Sequence, residues 1–403
     1  MLRHINHNNR LFMLGNFLFA LSYGLWMNLR QLHLGDLGAT PVEVGTMLGI
    51  VALAGGLLPI PAGLITDRVG PKRVLIGAWI VAALGTLIAA LATNWPMAGI
   101  GFAVFMLVIA ANPATVTFVL LNTANIEAEG QAERVMATVF ASWPAAMIFA
   151  PALGGLIAQQ WGIGTDLWLG VLGLVAAVLI VARATDVRPA PTDTRVDART
   201  LLRNRRFVAL AIFYPLALVT LEIGYVLAPT YLEAVRGYAV GTIGALFSVL
   251  SAGSLLFNYI VGKARPRVSF VVLIGAVWLG TFLIWQSSHS AGTGIAFALL
   301  GAISTMWLLA QTSVGQLVSP QQRGLALGVT ETLGWLAIAL ASWLAGQLYE
   351  ANAAHDLPLI AGVVAMLPVL ALWLFSPLAP PAFQTETNAA PAVTTASSQP
   401  AAD

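Results

Sequence analysis

The sequence predicts an all-α polytopic membrane protein, with twelve transmembrane helices arranged as two pseudo-symmetric six-helix bundles. Three observations carry that prediction. The first is composition: 58% of the 403 residues are hydrophobic and 9% are charged, where a soluble domain carries about 25% charged residues. So few charges cannot cover a soluble surface of this size, which excludes an ordinary cytosolic enzyme, a nucleic-acid binder and a disordered chain. The second is run length. Apolar stretches reach the roughly 20 residues that a helix needs to cross a bilayer, and they lack the alternation of barrel strands. The third is the placement of Lys and Arg, which falls almost wholly in alternate loops.

Segment 1 (11–29) follows a polar N-terminus, 1–10. It is too long for a signal-peptide core and no small-residue cleavage site follows it, so it reads as a retained span. Segments 2 (44–65) and 3 (74–93) flank a basic loop, Asp67 to Arg73. Segment 4 (95–121) follows across Thr93 and Asn94, ahead of Trp95 and Pro96, which suit a tight interfacial turn. Segments 5 (135–158) and 6 (163–182) complete an N-terminal bundle, 11–182. The polar stretch 183–206, with seven arginines, divides the chain. Its end, Asp197 to Arg206, suits either a short basic helix on an anionic leaflet or a solvated linker. Segments 7 (207–234), 8 (239–262), 9 (268–287), 10 (292–318), 11 (324–348) and 12 (358–375) form the second bundle, 207–375. The tail 376–403 is rich in Pro, Ala, Thr and Ser and reads as disordered.

With the N-terminus inside, 17 of the 19 Lys and Arg residues fall on the inner side, leaving only Arg30 and Arg236 outside. That bias expects both termini in the cytoplasm and the chain in the inner or plasma membrane. There is no cysteine, so disulfides, thiolate metal sites and a cysteine nucleophile are excluded. No metal and no cofactor is expected.

The halves repeat. Gly63 and Gly262, each before a basic loop, stand 199 residues apart. Arg134 and Arg323 open segments 5 and 11 at an offset of 189, and Gly155 matches Gly346 at 191. Repeats of this kind place a binding site near the midplane between the halves.

The loop after segment 2 reads Gly63-Leu64-Ile65-Thr66-Asp67-Arg68-Val69-Gly70-Pro71-Lys72-Arg73. It resembles the signature between helices 2 and 3 of the major facilitator superfamily. Positive-inside bias accounts for Arg68, Lys72 and Arg73, but not for Gly63, Asp67 and Gly70 at those spacings. The resemblance of plan covers 11–375. It implies a gating role: Asp67 would meet the N-terminal end of segment 11, where Arg323 sits, and hold the halves together on the inside. Helix N-termini attract carboxylates by about 0.3–1 kcal/mol when exposed and up to about 2 when partly buried. A second stretch, Ala150-Pro151-Ala152-Leu153-Gly154-Gly155, is similar to a helix 5 motif of the superfamily's exporters, with Ala150 in place of the first glycine. Two departures limit what the resemblance implies. Segment 4 reads Ala110-Ala111-Asn112-Pro113-Ala114-Thr115 and has no arginine, so a proton relay through it is not carried over from the drug exporters; the second-half loop, Gly262 to Arg267, lacks the aspartate, so the inner latch is asymmetric.

Two carboxylates fall clearly inside apolar segments, away from their ends: Glu222 in segment 7 and Glu331 in segment 11. A charge at the bilayer centre costs about 2.5–3.5 kcal/mol on insertion scales, so each needs a partner, a wet cavity or a proton. Both are candidate proton-coupling residues, Glu222 first. The resemblance implies a cavity lined by segments 1, 4, 7 and 10, and each carries a polar or aromatic stripe at helical spacing. Segment 1 offers Asn16, Tyr23, Trp26 and Arg30; segment 4 offers Asn112 and Thr115. Segment 7 offers Tyr214 and Tyr225 beside Glu222; segment 10 offers Ser304, Trp307 and Gln311. His33, His289 and His355 are expected in outer loops.

The resemblance therefore implies a secondary active transporter, not an enzyme, that moves a small organic solute by alternating access. No phosphate-binding G-x-x-x-x-G-K-[ST] loop occurs, so ATP is not the direct energy source. Proton-coupled export is the first expectation; proton symport or facilitated uptake of a sugar-like or other organic nutrient is the alternative. The expected partners are the solute, protons and the bilayer, with no nucleic acid, and the chain is expected to act as a monomer.

Overall fold

The computed structural model describes residues 5–123, 131–186, 198–261, 266–319 and 322–375. The tail 376–403, residues 187–197 of the central stretch and the loop Gly262 to Arg265 lie outside the described residues. So do the side chains of Gly63 and Asp67.

Among the described residues the structure is helical throughout. Twelve spans follow in order: α1 (His7–Asp36), α2 (41–69), α3 (Pro71–Ala90), α4 (Trp95–Leu121), α5 (Arg134–Trp161) and α6 (Ile163–Ala182). After a short helix, Ala198–Arg203, come α7 (Arg205–Ala234), α8 (Val240–Val261) and α9 (Pro266–Gln286). The last three are α10 (Ser290–Leu317), α11 (Arg323–Glu350) and α12 (Leu357–Phe375). Eleven of the described helices are long and apolar enough to cross a membrane, by length and composition. The remaining span, α2, is divided into Pro41–Gly56 and Pro59–Val69. Pro59 has no N–H to continue the ladder, so the helix restarts there.

Other spans are also interrupted. In α1 a 3-10 turn occupies Met27–Leu29, and in α4 another occupies Leu107–Ala110. The α7 helix stops at Tyr225 and resumes at Ala228, and α10 breaks at Gly301. The α5 span is interrupted as well, at Ala141, so breaks are not confined to the four spans expected to line a cavity. One expectation is corrected. Segment 1 does not end at Leu29 but continues as helix to Asp36. His33 is therefore buried in that helix, edge-on to the Phe102 ring at 6.4 Å, rather than solvated in a loop. His289 is exposed in its loop as expected.

In the first half α1 packs on α5 and α6, and α3 packs on α4 and α6. In the second half α7 packs on α11 and α12, and α9 packs on α10 and α12. Two antiparallel contacts join the halves, α2 with α11 and α5 with α8. Glycines make both possible. A Cβ on Gly45 would fall 2.5 Å from the Ser342 carbonyl oxygen, and one on Gly155 would fall 2.9 Å from the Gly244 Cα. Small residues let membrane helices approach this closely.

Both contacts favour one end of the molecule, the end away from the basic loops. There Gln31 Nε2 donates to the Val226 carbonyl at 3.3 Å, and Val42 N–H donates to Glu350 Oε1 at 3.3 Å. Toward the middle, Ala152 N–H donates to Ser248 Oγ at 3.0 Å. At the basic end the second piece of α2 touches α11 sparsely, and the ends of α4, α5 and α10 pack on their own halves. The hydrogen bonds described there also stay within one half. Lys72 Nζ donates to the carbonyls of Ala182, at 2.9 Å, and of Ala184. Asn8 Nδ2 donates to Thr185 Oγ1 at 2.6 Å, and Arg323 Nε donates to the Gly315 carbonyl at 2.9 Å. The halves are thus closed at one end and diverge at the other.

Candidate functional site: an aromatic cavity between the halves

A cavity of about 280 Å³ lies on the basic side of the closure. Asn16, Phe19 and Tyr23 reach it from α1, one or two helical turns apart, so they share a face. Met106 to Thr115 of α4 line it around the 3-10 turn, including Asn112 and Thr115. Trp79 comes from α3, Phe140 and Trp143 from α5, and Trp335 from α11. The rings pack on one another. Phe19 lies 4.9 Å from Trp79 and 5.9 Å from Trp143, and Tyr23 stacks on Phe105 at 5.5 Å. Such pairs fix ring positions and leave ring faces for a guest.

The polar groups are few and fixed. Asn16 Nδ2 donates to Ser142 Oγ at 2.9 Å, and Ser142 in turn donates to the Val139 carbonyl at 2.7 Å. Asn112 Nδ2 donates to Glu331 Oε1 at 3.1 Å, a bond that crosses from one half to the other. The Trp335 indole N–H lies beside the same carboxylate without ordinary hydrogen-bond geometry. Glu331 therefore borders the cavity through two of its lining residues.

A second polar group stands toward the closed end. Arg30 of α1 has Tyr23, Tyr225 and Glu222 as its electrostatic neighbours. Glu222 is 8% exposed and lies on the other half. The two charges stop short of a direct ion pair, for none within 4.0 Å joins them. Arg30 Nη1 meets Met27 Sδ at 2.8 Å, and its buried Nε has no hydrogen bond.

Of the cavity residues that the sequence suggests, the lining includes Asn16, Tyr23, Asn112 and Thr115. Trp26 is instead packed inside the first half, stacked on Phe102 at 5.3 Å. Tyr214 is buried against Trp307, which lies behind Trp335 at 5.5 Å. Arg30 and Tyr225 belong to the charged group above the cavity, while Ser304 and Gln311 are not among the lining. The motif residues are dispersed along the basic end and the α5 interface. Arg68 is exposed, Gly70 takes a φ of 96° that suits glycine, and Lys72 holds the end of α6. Arg73 lies 3.7 Å from Asp186. Pro151 sits inside α5, where Gly154 meets the Leu25 carbonyl and Gly155 meets Gly244 across the halves. Sequence reasoning missed Trp79, Phe140, Trp143 and Trp335, because a polar stripe was sought on four helices while these rings come from three others. The tryptophans of α3, α5 and α11 were the available signal.

Comparison with known proteins follows the same lines. The sequence profile of the Major Facilitator Superfamily matches residues 12–306. The chain belongs to the Major Facilitator Superfamily. Within that superfamily it is 22% identical over 330 residues to the inner membrane transport protein YajR of Escherichia coli (strain K12), covering 77% of this chain and 70% of that one. It is 25% identical over 358 residues to the 3-(3-hydroxy-phenyl)propionate transporter of the same organism, covering 82% and 85%. The fold resembles the crystal structure of the nucleoside transporter NupG, with a TM-score of 0.72 at 15% identity, covering 92% of this chain and 98% of that one. This superfamily member is thus a multi-pass membrane protein whose named relatives are transporters.

Proposed function

We propose that the protein is a secondary active transporter that carries a small organic solute by alternating access. The observation that carries this reading is a cavity walled by the first half and faced from the second by Trp335, in a molecule whose halves are closed at one end and divergent at the other. By the positive-inside rule the basic end is cytoplasmic, both termini lie there, and the conformation faces inward. The membrane is the cell's inner or plasma membrane, and one chain contains the whole path. Proton coupling is assigned to Glu222. When ionised it attracts Arg30 across the halves and favours closure of the outer end; when protonated it releases that attraction. Opposite charges 4 Å apart attract by about 4 kcal/mol at an effective dielectric of 20, and a smaller value at longer range still reorders two conformations. Export is the proposed direction, supported by the Pro151-Gly154-Gly155 stretch of α5. Uptake is the second reading, since proline and glycine in a membrane helix also serve ordinary packing. Proteoliposomes test both: labelled solute should exchange in counterflow without a gradient, and an imposed pH gradient should drive accumulation against it. Binding without counterflow would overturn the transporter reading.

A further inference from the structure

We propose that the cavity recognises a solute that joins a flat aromatic ring to a positive charge, such as a protonated aryl amine, with Glu331 as its counter-ion. This rests on the transporter reading only for what happens after binding. Half of the 14 lining residues are aromatic, and ring faces carry negative potential that attracts cations. No Lys or Arg is in the lining. The guanidinium of Arg30 has the lining Tyr23 as an electrostatic neighbour, but Glu222 stands beside it as a counter-charge. No carboxylate is in the lining either; the one bonded to a lining residue is Glu331, which accepts from Asn112 Nδ2 at 3.1 Å.

The amides are compatible with this preference. Ser142 spends its hydroxyl proton on the Val139 carbonyl, so toward Asn16 it can only accept. That places one N–H of Asn16 on Ser142 and leaves its carbonyl oxygen, with the second N–H, for a guest. Asn112 likewise spends one N–H on Glu331 and keeps its carbonyl oxygen. Each amide can therefore accept from an ammonium. An anion would meet ring faces and, behind Asn112, a carboxylate of like sign. The volume, about 280 Å³, lies just under the usual range of about 300–1,000 Å³ for small-molecule sites, which suits one or two rings.

The test uses the purified full chain in nanodiscs and three probes of one shape: 1-naphthylmethylamine, 1-naphthalenemethanol and 1-naphthoate. Isothermal titration at neutral pH should rank the ammonium at least tenfold tighter than the alcohol, with the carboxylate weakest. Glu331→Gln should bring the ammonium to within threefold of the alcohol and leave the alcohol unchanged. Asn112→Lys, which sets a cation before Glu331, should reverse the order of ammonium and carboxylate. The proposal is overturned by a carboxylate that binds as tightly as the ammonium, or by an ammonium preference that survives Glu331→Gln. If that variant does not purify, the wild-type ranking and Asn112→Lys decide. No binding of any probe to cooperatively melting wild-type protein also counts against it. No gradient is present, so a wrong ranking leaves counterflow untouched, and failed counterflow leaves the ranking to stand.

Discussion

Glu222 and Arg30 put opposite charges on the two halves just below the closed end. A proton that neutralises one of them changes the energy of closure, and a proton crossing with the membrane potential gains about 2.3 kcal/mol per 100 mV. Glu222→Gln mimics the protonated side chain permanently. We expect it to abolish accumulation driven by a pH gradient while counterflow in the same proteoliposomes persists. Uphill transport at the wild-type level in Glu222→Gln would remove the residue from the coupling role. Glu331→Gln should act differently, because Glu331 borders the cavity through Asn112 and Trp335. It should weaken solute affinity and rate while a pH gradient still drives the remaining transport. If Glu331→Gln alone loses uphill transport, coupling belongs to α11.

At the level of helices, two kinds of contact dominate. Lys72 at the start of α3 holds the last carbonyls of α6, those of Ala182 and Ala184. A cation at a helix C-terminus is worth about 0.3–1 kcal/mol when exposed. Lys72→Met should therefore lower the apparent Tm by a few degrees in a thermal melt and leave the conformational balance unchanged, since both elements belong to one half. An altered balance with an unchanged Tm would contradict that assignment. The contact of α2 with α11 is of the other kind. A side chain at Gly45 would overlap backbone atoms of Ser342 and Gly346, which cannot turn aside. Overpacking of this sort costs about 1–3 kcal/mol, or roughly 5- to 150-fold in a ratio of states. Because the contact lies between halves, the cost falls on the closed state. Gly45→Val should open that end, seen as faster maleimide labelling of Leu227→Cys, a position now 2% exposed. Labelling as slow as in the Gly45 parent would show that the contact does not control closure.

Across the whole molecule, the proposed alternating access would make the form closed at one end and divergent at the other one of at least two states. The opposite state needs something to hold the basic ends together, and the Asp67 loop is the proposed latch. Its partner would be the N-terminal end of α11 at Arg323, which here donates back to Gly315 of its own half. Asp67→Asn should disfavour the opposite state. Loss of a partly buried charge–dipole contact of about 1–2 kcal/mol would move the balance roughly 5- to 30-fold toward the inward-facing form. The absence of native cysteine lets single introduced cysteines on each side report it. Equal labelling of Asp67→Asn and wild type on both sides would remove the latch.

The amino-acid sequence alone determined the membrane, the helical class, the two related halves and the superfamily. Each follows from local or periodic features: run lengths that match a bilayer, alternate basic loops, repeated landmarks and the spacing of Gly63, Asp67, Gly70, Lys72 and Arg73. It also singled out Glu222 and Glu331, because a carboxyl in an apolar run is conspicuous wherever it points. What it could not specify is rotation and tilt. Trp26 and Tyr23 are three residues apart on one helix, yet one is sealed against Phe102 and the other lines the cavity. Trp335 looks like any apolar residue of α11 until the crossing of α2 and α11 turns it inward. Side-chain direction in a bundle is set by which neighbours pack on which face, and those neighbours come from distant parts of the chain. Only the tertiary structure could bring Asn112 to Glu331 and Arg30 near Glu222, because each pair joins two halves that the sequence keeps about 200 residues apart.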